Sequence, residues 1–278
     1  MNNIKLLNRF VEDVAFLLGS RGDILLHGLF APEPQPQGAE DQYMAKWRDA
    51  LKPKMTVSGN VAHVPIEGVI AYNPDVIEMA FYGVEDSRNI MEMLQEARLN
   101  KDVKGVQLNI DSPGGFFNGG AEIADAVASL NKVKPVEAFI GGTGASLAYM
   151  IASQAGHITA SRAARVGSIG AYSMNYDLSH RAHDSGIKVE VFTNKEATFK
   201  AMGIPGTVLQ DVQREHIKAQ TQAAFDEFKA QVLSTRPQIA ADTMRGQVFT
   251  GKEGLKLGLV DAVGNRDSAT LYLKGRIG

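Results

Sequence analysis

Two segments of this chain each join a strand-like apolar run to a helix-like run through a glycine-rich turn. In the first, residues 105–110 precede the turn at residues 111–115, and residues 121–130 follow it. In the second, residues 136–140 precede three glycines, and an apolar, helix-forming run starts at Leu147. Glycine permits the tight or positive-φ backbone that such turns require. The two units predict strands that alternate with helices, which is typical of an α/β fold.

Ser146 lies where the second turn meets its helix. Gly141, Gly142 and Gly144 precede it, and Leu147 begins the run that favours helix. The serine Oγ is therefore expected at a helix N-terminus, where free backbone N–H groups can stabilise a developing oxyanion. This is where a nucleophilic serine would lie. Serine is also a common N-cap residue, so an ordinary helix cap is the alternative.

The first turn has the composition that the other half of an oxyanion hole requires. Pro113 fixes φ and has no N–H, whereas Gly114 and Gly115 can turn their amides outward without steric cost. A plain strand-to-helix turn is the alternative for this motif.

The composition indicates an enzyme with a sizeable core. The chain has 278 residues, 44% of them hydrophobic. Its formal net charge of −2 gives no sign of the basic surface that binds nucleic acid. The absence of cysteine excludes disulfides, thiolate metal sites and a cysteine nucleophile, and fits a reducing compartment. Apolar residues recur at helical spacing between Met1 and Leu26, but Arg9, Glu12 and Asp13 interrupt them. This segment predicts neither a signal-peptide core nor a membrane span.

The same patterns divide the chain into four parts. Residues 1–30 are expected to form an amphipathic helical segment, and residues 31–55 a Pro/Gln-rich linker with a short helix. The main domain is expected at residues 56–264, followed by a C-terminal tail at residues 265–278. Within the main domain, residues 209–235 predict a long amphipathic helix with a packing role.

The two turns occur in order with two further motifs, and together they resemble the signal peptide peptidase A family, also called protease IV. The motifs are the entry strand at residues 59–70, the turn at residues 111–115, the serine segment with its following Val-Gly-Ser-Ile-Gly at residues 166–170, and the closing run at residues 246–261. The resemblance covers much of residues 60–264. It implies a ClpP/crotonase-like fold of repeated β-β-α units with an N-terminal helical appendage. It also implies a serine peptidase, most similar to the phage and prophage capsid-assembly proteases.

A serine hydroxyl needs a base within hydrogen-bond reach. The resemblance implies a lysine after the Gly-Ser-Ile-Gly motif, and Lys200 fits that place. Phe199, Ala201 and Met202 can supply apolar surroundings that disfavour the charged ammonium. Ser168 corresponds to a family serine that holds the lysine amine.

Other candidate bases have less favourable contexts. Lys195 and Lys188 compete with Lys200 but have fewer apolar neighbours. None of the six histidines has the context of a triad histidine, although chain order alone does not exclude one. The histidines are His27, His63, His157, His180, His183 and His216.

The implied chemistry is acyl transfer by a dyad of Ser146 and Lys200. Backbone N–H groups of Gly114 or Gly115 and of Leu147 would stabilise the oxyanion. This chemistry uses neither a metal nor another cofactor.

The resemblance also implies the kind of substrate and assembly. Phe116, Phe117 and Asn118 lie where related enzymes bind an extended peptide by strand addition, with loop packing as the alternative. A homo-oligomeric ring is expected, with active sites near subunit interfaces and the lysine in cis or in trans. The expected location is the cytoplasm of a host or a phage procapsid, where scaffold or portal proteins would be processed.

Three other functions stay open at this stage. A protease that degrades signal or membrane peptides would carry the same motifs. An acyl-CoA enzyme of the crotonase type would use the same turns, but it does not need Ser146, Ser168 and Lys200 together. An inactive shell or scaffold-binding homologue is suggested by Leu147 and Ala148, which replace the two glycines that commonly follow the family's serine.

Overall fold

The computed structural model describes residues 15–16 and 51–277. The described residues form a ten-stranded sheet. Its strands are β1 (Ala15–Phe16), β2 (Thr56–Ser58), β3 (Val61–Ala71), β4 (Val84–Asp86), β5 (Gly105–Phe116), β6 (Val136–Ala145), β7 (His157–Ala160), β8 (Arg165–Gly167), β9 (Val248–Thr250) and β10 (Ala262–Val263).

Eight α-helices lie in the described part of the chain. They are α1 (Val76–Tyr82), α2 (Ser87–Leu99), α3 (Ala121–Asn131), α4 (Leu147–Ser153), α5 (Ser179–Asp184), α6 (Asp211–Thr235), α7 (Gly251–Lys256) and α8 (Arg266–Ile277). The helices expected at residues 121–130 and 209–235 are both present, as α3 and α6.

The central strands of the sheet are parallel, in the order β10-β7-β6-β5-β3, with β2 antiparallel at the end. β8 adds a second parallel pairing to the last residues of β6. Because parallel strands end at one edge of a sheet, the ends of β5 and β6 lie together there. The α/β class expected from the sequence is confirmed.

The core lies on one face of the sheet. Alternate apolar residues of the central strands, such as Ile66, Leu108 and Ile140, are fully or almost fully buried against α2, α3 and α4. The opposite face is partly covered by α8, where the Thr270 hydroxyl donates to Gln107 Oε1 at 2.6 Å. The residues expected as a C-terminal tail thus form a helix packed on the main domain, with Ala269 and Leu273 buried.

Two local expectations differ from the structure. The turn expected at residues 111–115 is the irregular end of β5, which continues to Phe116 with a shift of register between Ile110 and Ser112. Pairing with β3 keeps this glycine-rich stretch extended.

At Ala15–Phe16, within the expected N-terminal helix, the backbone is a strand paired antiparallel with Gly115 and Phe116, which supplies the hydrogen bonds a helix would make. The rest of the N-terminal appendage and most of the linker lie outside the described residues.

Candidate active site

Ser146 occupies the single residue between β6 and α4. Its φ of 53° and ψ of −129° lie in a region that residues with side chains rarely adopt. The Ser146 N–H donates to the Gly167 carbonyl at 2.8 Å, and its own carbonyl accepts from the N–H groups of Tyr149 and Met150. β8 and the first turn of α4 therefore hold a strained backbone in place.

The side chain of Ser146 is not a helix cap. It makes no capping hydrogen bond, although the residue stands at the N-cap position. The residue is 1% exposed, and its Oγ has no hydrogen-bond partner. A buried hydroxyl without a partner costs free energy, so the geometry argues against the capping role. The hydroxyl is instead available to a base, which nucleophilic attack by serine requires.

Ser168 lies beside Ser146 because β8 pairs with β6. Ala145 is the register partner of Gly167, and each strand is followed directly by its serine. Ser168 also has a positive φ, of 52°, and its N–H donates to the Gln247 carbonyl at 2.6 Å. Both serines line one cavity of about 840 Å³. The structure thus brings together two of the residues expected at the site.

The backbone N–H groups expected to bind the oxyanion differ in their present hydrogen bonds. Leu147 is the first residue of α4, so its N–H has no acceptor within the helix. The Gly114 N–H donates to Ser112 Oγ at 3.1 Å, and the Ser112 hydroxyl donates to the Gly68 carbonyl at 2.6 Å. Both glycines also lie in sheet pairings, with Val69 and Ile70 of β3, and Gly115 pairs with Phe16 of β1.

The residues expected to bind a peptide are placed in three environments. Phe116 is buried and ends β5, and its backbone pairs with Ala15. Phe117 is half-buried against the core, and Asn118 is exposed. The end of β5 is thus paired with β1 in this chain.

Leu147 and Ala148, the bulky residues after the serine, fit into the core. Leu147 and Ala148 are completely buried. A Cβ atom added to Gly120 would lie 2.3 Å from Leu147 Cδ2. The leucine side chain therefore occupies the volume that the missing side chain of Gly120 leaves free.

Lys200 lies away from this cavity in the single chain. It is exposed in a turn, where its N–H donates to the Ala197 carbonyl at 3.0 Å. It lines a different cavity, with Thr198 and Gln213. Phe199 packs on the His216 ring, with 4.7 Å between centroids, and does not enclose the ammonium.

Residues that were not expected at the site complete the serine cavity. α6 contributes Ile217, Lys218, Thr221 and Phe225, spaced to lie on one face of the helix. The sequence predicted only a packing role for α6, although the spacing of these four residues could have indicated a shared face. Lys218 is paired with Glu215 at 2.8 Å, and both side chains are largely exposed.

Histidine is not part of the described walls of the serine cavity. His157 instead contacts the buried Glu137 carboxylate, with 2.7 Å between Nδ1 and Oε2, and stacks on Tyr272 of α8. It serves the packing of α8 on the sheet. Among the described residues, no helix combines the length and the apolar character that a membrane crossing needs.

Comparison with family models gives two matches. Residues 128–276 match the model of peptidase family S49, and residues 79–166 match the model of the Clp protease. The second match, with the parallel sheet and its strand-to-helix turns, identifies the fold as ClpP/crotonase-like.

Several curated proteins are similar to this chain. The head-tail preconnector protein GP5 of Enterobacteria phage P21 is 29% identical over 82% of this chain and 45% of its own. The capsid assembly protease C of Escherichia phage lambda is 25% identical over 78% of this chain and 49% of its own. Protease 4 of Haemophilus influenzae is 28% identical over 82% of this chain and 36% of its own. The chain spans about half the length of the two phage relatives.

Among solved structures, an enoyl-CoA hydratase from Shewanella pealeana is similar, with 13% identity and a TM-score of 0.48. The match covers 86% of this chain and 78% of that one.

Proposed function

Because this chain belongs to peptidase family S49, a family of serine proteases, we propose that it is an endopeptidase with Ser146 as nucleophile and Lys200 as base. The observation that carries the proposal is the geometry of Ser146. Its unpartnered Oγ lies on a strained turn, beside a helix N-terminus and at the wall of a large cavity. An acyl-CoA enzyme of the same fold has no need of such a serine.

The proposed reaction has two acyl-transfer steps. Neutral Lys200 takes the proton of Ser146, and Oγ attacks the peptide carbonyl carbon. The N–H group of Leu147 and that of Gly114 or Gly115 stabilise the oxyanion, and the Gly114 amide must first leave Ser112 Oγ. The lysine then protonates the leaving amine. Water, with Lys200 again as base, hydrolyses the acyl-enzyme.

Lys200 is proposed to reach the serine of a neighbouring subunit. A lysine acts as a base near neutral pH only where burial or nearby positive charge disfavours its ammonium, and Lys200 is exposed in one chain. The segment around it also exposes apolar side chains, among them Phe192 at 89% and Val208 at 57%. Such a patch is typical of a surface that another subunit covers. A homo-oligomer would bury the patch and desolvate the lysine, while Ser168 orients the amine.

The substrate is proposed to be an extended polypeptide that adds to the end of β5. Gly115 and Phe116 pair with β1 in this chain, so a substrate strand would replace β1 at these two residues. Phe117 and Asn118 would then contact the peptide beyond the paired residues.

The biological role proposed first is the processing of scaffold or portal proteins in a phage or prophage procapsid, within the cytoplasm of a host. The similarity to the capsid assembly protease of phage lambda supports it. A second candidate, the degradation of signal or membrane peptides, is supported by a similar signal peptide peptidase of Enterococcus faecium.

The test is covalent labelling with a fluorophosphonate, read as intact mass. Wild type is expected to gain one adduct per chain, and Ser146→Ala none. Lys200→Ala is expected to label at least about 100 times more slowly, because the serine has lost its base. Lys195→Ala, an exposed lysine of the same segment, is the matched control and should label at the wild-type rate.

Two results would contradict the proposal. Labelling of Lys200→Ala at the wild-type rate would exclude Lys200 as the base. Failure of the assembled wild type to react, while an unrelated serine hydrolase reacts beside it, would favour an inactive shell or scaffold-binding protein.

A further inference from the structure

A second cavity, of about 470 Å³, opens beside the strands that carry the oxyanion turn. Glu67 and Gly68 of β3 and Asp111 of β5 form one wall, and Glu85 of β4 forms another. We call it the acidic cavity, because three of its lining residues are carboxylic acids. The mechanism proposed above uses none of these three side chains.

Glu85 is the unusual member of this group. It is only 7% exposed, and its Oε1 has no hydrogen-bond partner. Burial raises the pKa of Glu85 to about 8, the nearby amide of Asn89 opposes the rise, and the nearby Asp86 and Glu67 add to it. A buried, unpaired carboxyl oxygen among other acids is costly without a partner. A hydrogen-bond donor with a positive charge in the cavity would pair with this oxygen and favour the ionised form of Glu85.

The cavity also offers aromatic surface to such a group. Phe81, which is 68% exposed, and Tyr82 belong to its lining at the end of α1. An aromatic face attracts an ammonium or guanidinium, and the carbon chain of lysine or arginine can pack along it. Among the described residues, no three histidine, cysteine or acidic side chains are arranged to hold a metal ion. The chemistry therefore favours an organic cation.

The acidic cavity is joined to the active site by two direct contacts. Asp111 Oδ1 accepts from the N–H of Thr143, three residues before the nucleophile. Ser112 Oγ donates to the carbonyl of Gly68 in the cavity wall and accepts from the N–H of Gly114. A peptide held across the oxyanion turn would thus run beside this cavity.

We propose that the acidic cavity is a specificity subsite that takes a lysine or arginine side chain of the polypeptide substrate. The ammonium or guanidinium would bind between Glu85 and Glu67, and its carbon chain would lie against Phe81. Charge-assisted hydrogen bonds of this kind are stronger than neutral ones, and a matched neutral side chain cannot make them. This subsite rests on the proposed peptidase function.

The preference for a basic side chain should depend on pH. The charged or titratable groups near Glu85 are Glu67, Asp111, Tyr82 and Asp86, the last paired with Arg88 at 2.6 Å. Below the pKa of Glu85, a bound cation must displace its proton, which weakens binding. The preference therefore rises from pH 7 to pH 9, while Glu85 loses its proton.

The experiment compares lysine with norleucine, a side chain of similar length without charge. Cleavage sites in casein are mapped first by mass spectrometry. Internally quenched decapeptides around a preferred site then carry lysine or norleucine at each position in turn. At one position, lysine is expected to raise kcat/KM about tenfold over norleucine. This ratio should fall below about twofold in Glu85→Gln and in Glu67→Gln.

The controls separate specificity from folding and from general activity. Glu92→Gln changes an exposed acid of α2 outside the cavity and should keep the tenfold ratio. Glu67 is exposed, so its variant stays informative if Glu85→Gln does not fold. Glu92→Gln should also cleave the norleucine peptides at the wild-type rate, and the lysine ratio in Glu85→Gln should lose its rise with pH.

Casein cleavage without a lysine preference at any position would overturn the subsite and leave the peptidase function intact. If neither casein nor any peptide is cleaved, the peptidase function fails. The subsite is then tested alone, by NMR titration of wild type and Glu85→Gln with Nα-acetyl-lysine methylamide and its norleucine analogue. Equal binding of the two amides by wild type would overturn it.

Discussion

The segment that carries Ser146 and the segment that carries Lys200 are held in different ways. Ser146 is enclosed by β6, β8 and α4. Three hydrogen bonds fix its backbone, one to β8 and two from α4. Lys200 lies in an exposed stretch between α5 and α6, whose exposed apolar side chains include Phe192. One half of the proposed dyad is thus built by the sheet of a single chain. The other half lacks the burial that its chemistry needs, so we expect a neighbouring subunit to complete it.

The largest effects are expected when the serine and the lysine of the proposed dyad are placed on different chains. Ser146→Ala and Lys200→Ala should each lower peptide hydrolysis by at least about a thousandfold. If each site takes its serine from one subunit and its lysine from the next, an equal mixture refolded together should recover about a quarter of wild-type activity. Hydrolysis of the peptide from the casein map measures this recovery.

The control for this mixture is Lys200→Ala refolded with the double variant Ser146→Ala/Lys200→Ala, which has no intact lysine and should stay inactive. Mass spectrometry should first show that mixed oligomers have formed. Mixed oligomers without activity would contradict the assembly of the dyad in trans.

The tight packing of the serine segment can be tested at Gly120. An added Cβ would overlap Leu147, so Gly120→Ala should lower the free energy of unfolding by about 1–3 kcal/mol. Gly275→Ala, in α8 with open space around it, should leave stability unchanged or raise it slightly. Urea denaturation measures both effects.

Combining Gly120→Ala with Leu147→Ala tests whether the two side chains compete for the same space. The smaller side chain at position 147 leaves room for the new methyl group, so the double variant should lose less stability than the two single variants predict. Additive losses would show that the two residues do not compete for one space.

The smallest effect is expected at Lys218, the lysine that one chain does place in the serine cavity. It is exposed and paired with Glu215, so it lacks the burial of a base. Lys218→Met should change kcat/KM for peptide by less than about threefold, since an exposed pair of this kind contributes little. A loss as large as that of Lys200→Ala would instead make Lys218 the base and remove the need for a neighbouring subunit.

Local sequence patterns determined several of the strands and helices of this protein. The strand and helix at either side of Ser146, the strand at residues 105–110 and the long helix α6 were predicted from apolar runs, glycines and helical spacing. The position of the serine at the start of a helix followed from the same pattern. Such features depend on neighbours in the chain, which a sequence displays directly.

Only the tertiary structure decided how these parts meet. Pairing of β8 with β6 puts Ser168 beside Ser146, and packing of α6 brings Lys218 into the serine cavity. The bond from Ser112 Oγ to the Gly68 carbonyl and the burial of Glu85 depend on contacts with β3 and β4. Each of these joins residues far apart in the chain. Their burial and their hydrogen-bond partners therefore exist only once the sheet has formed.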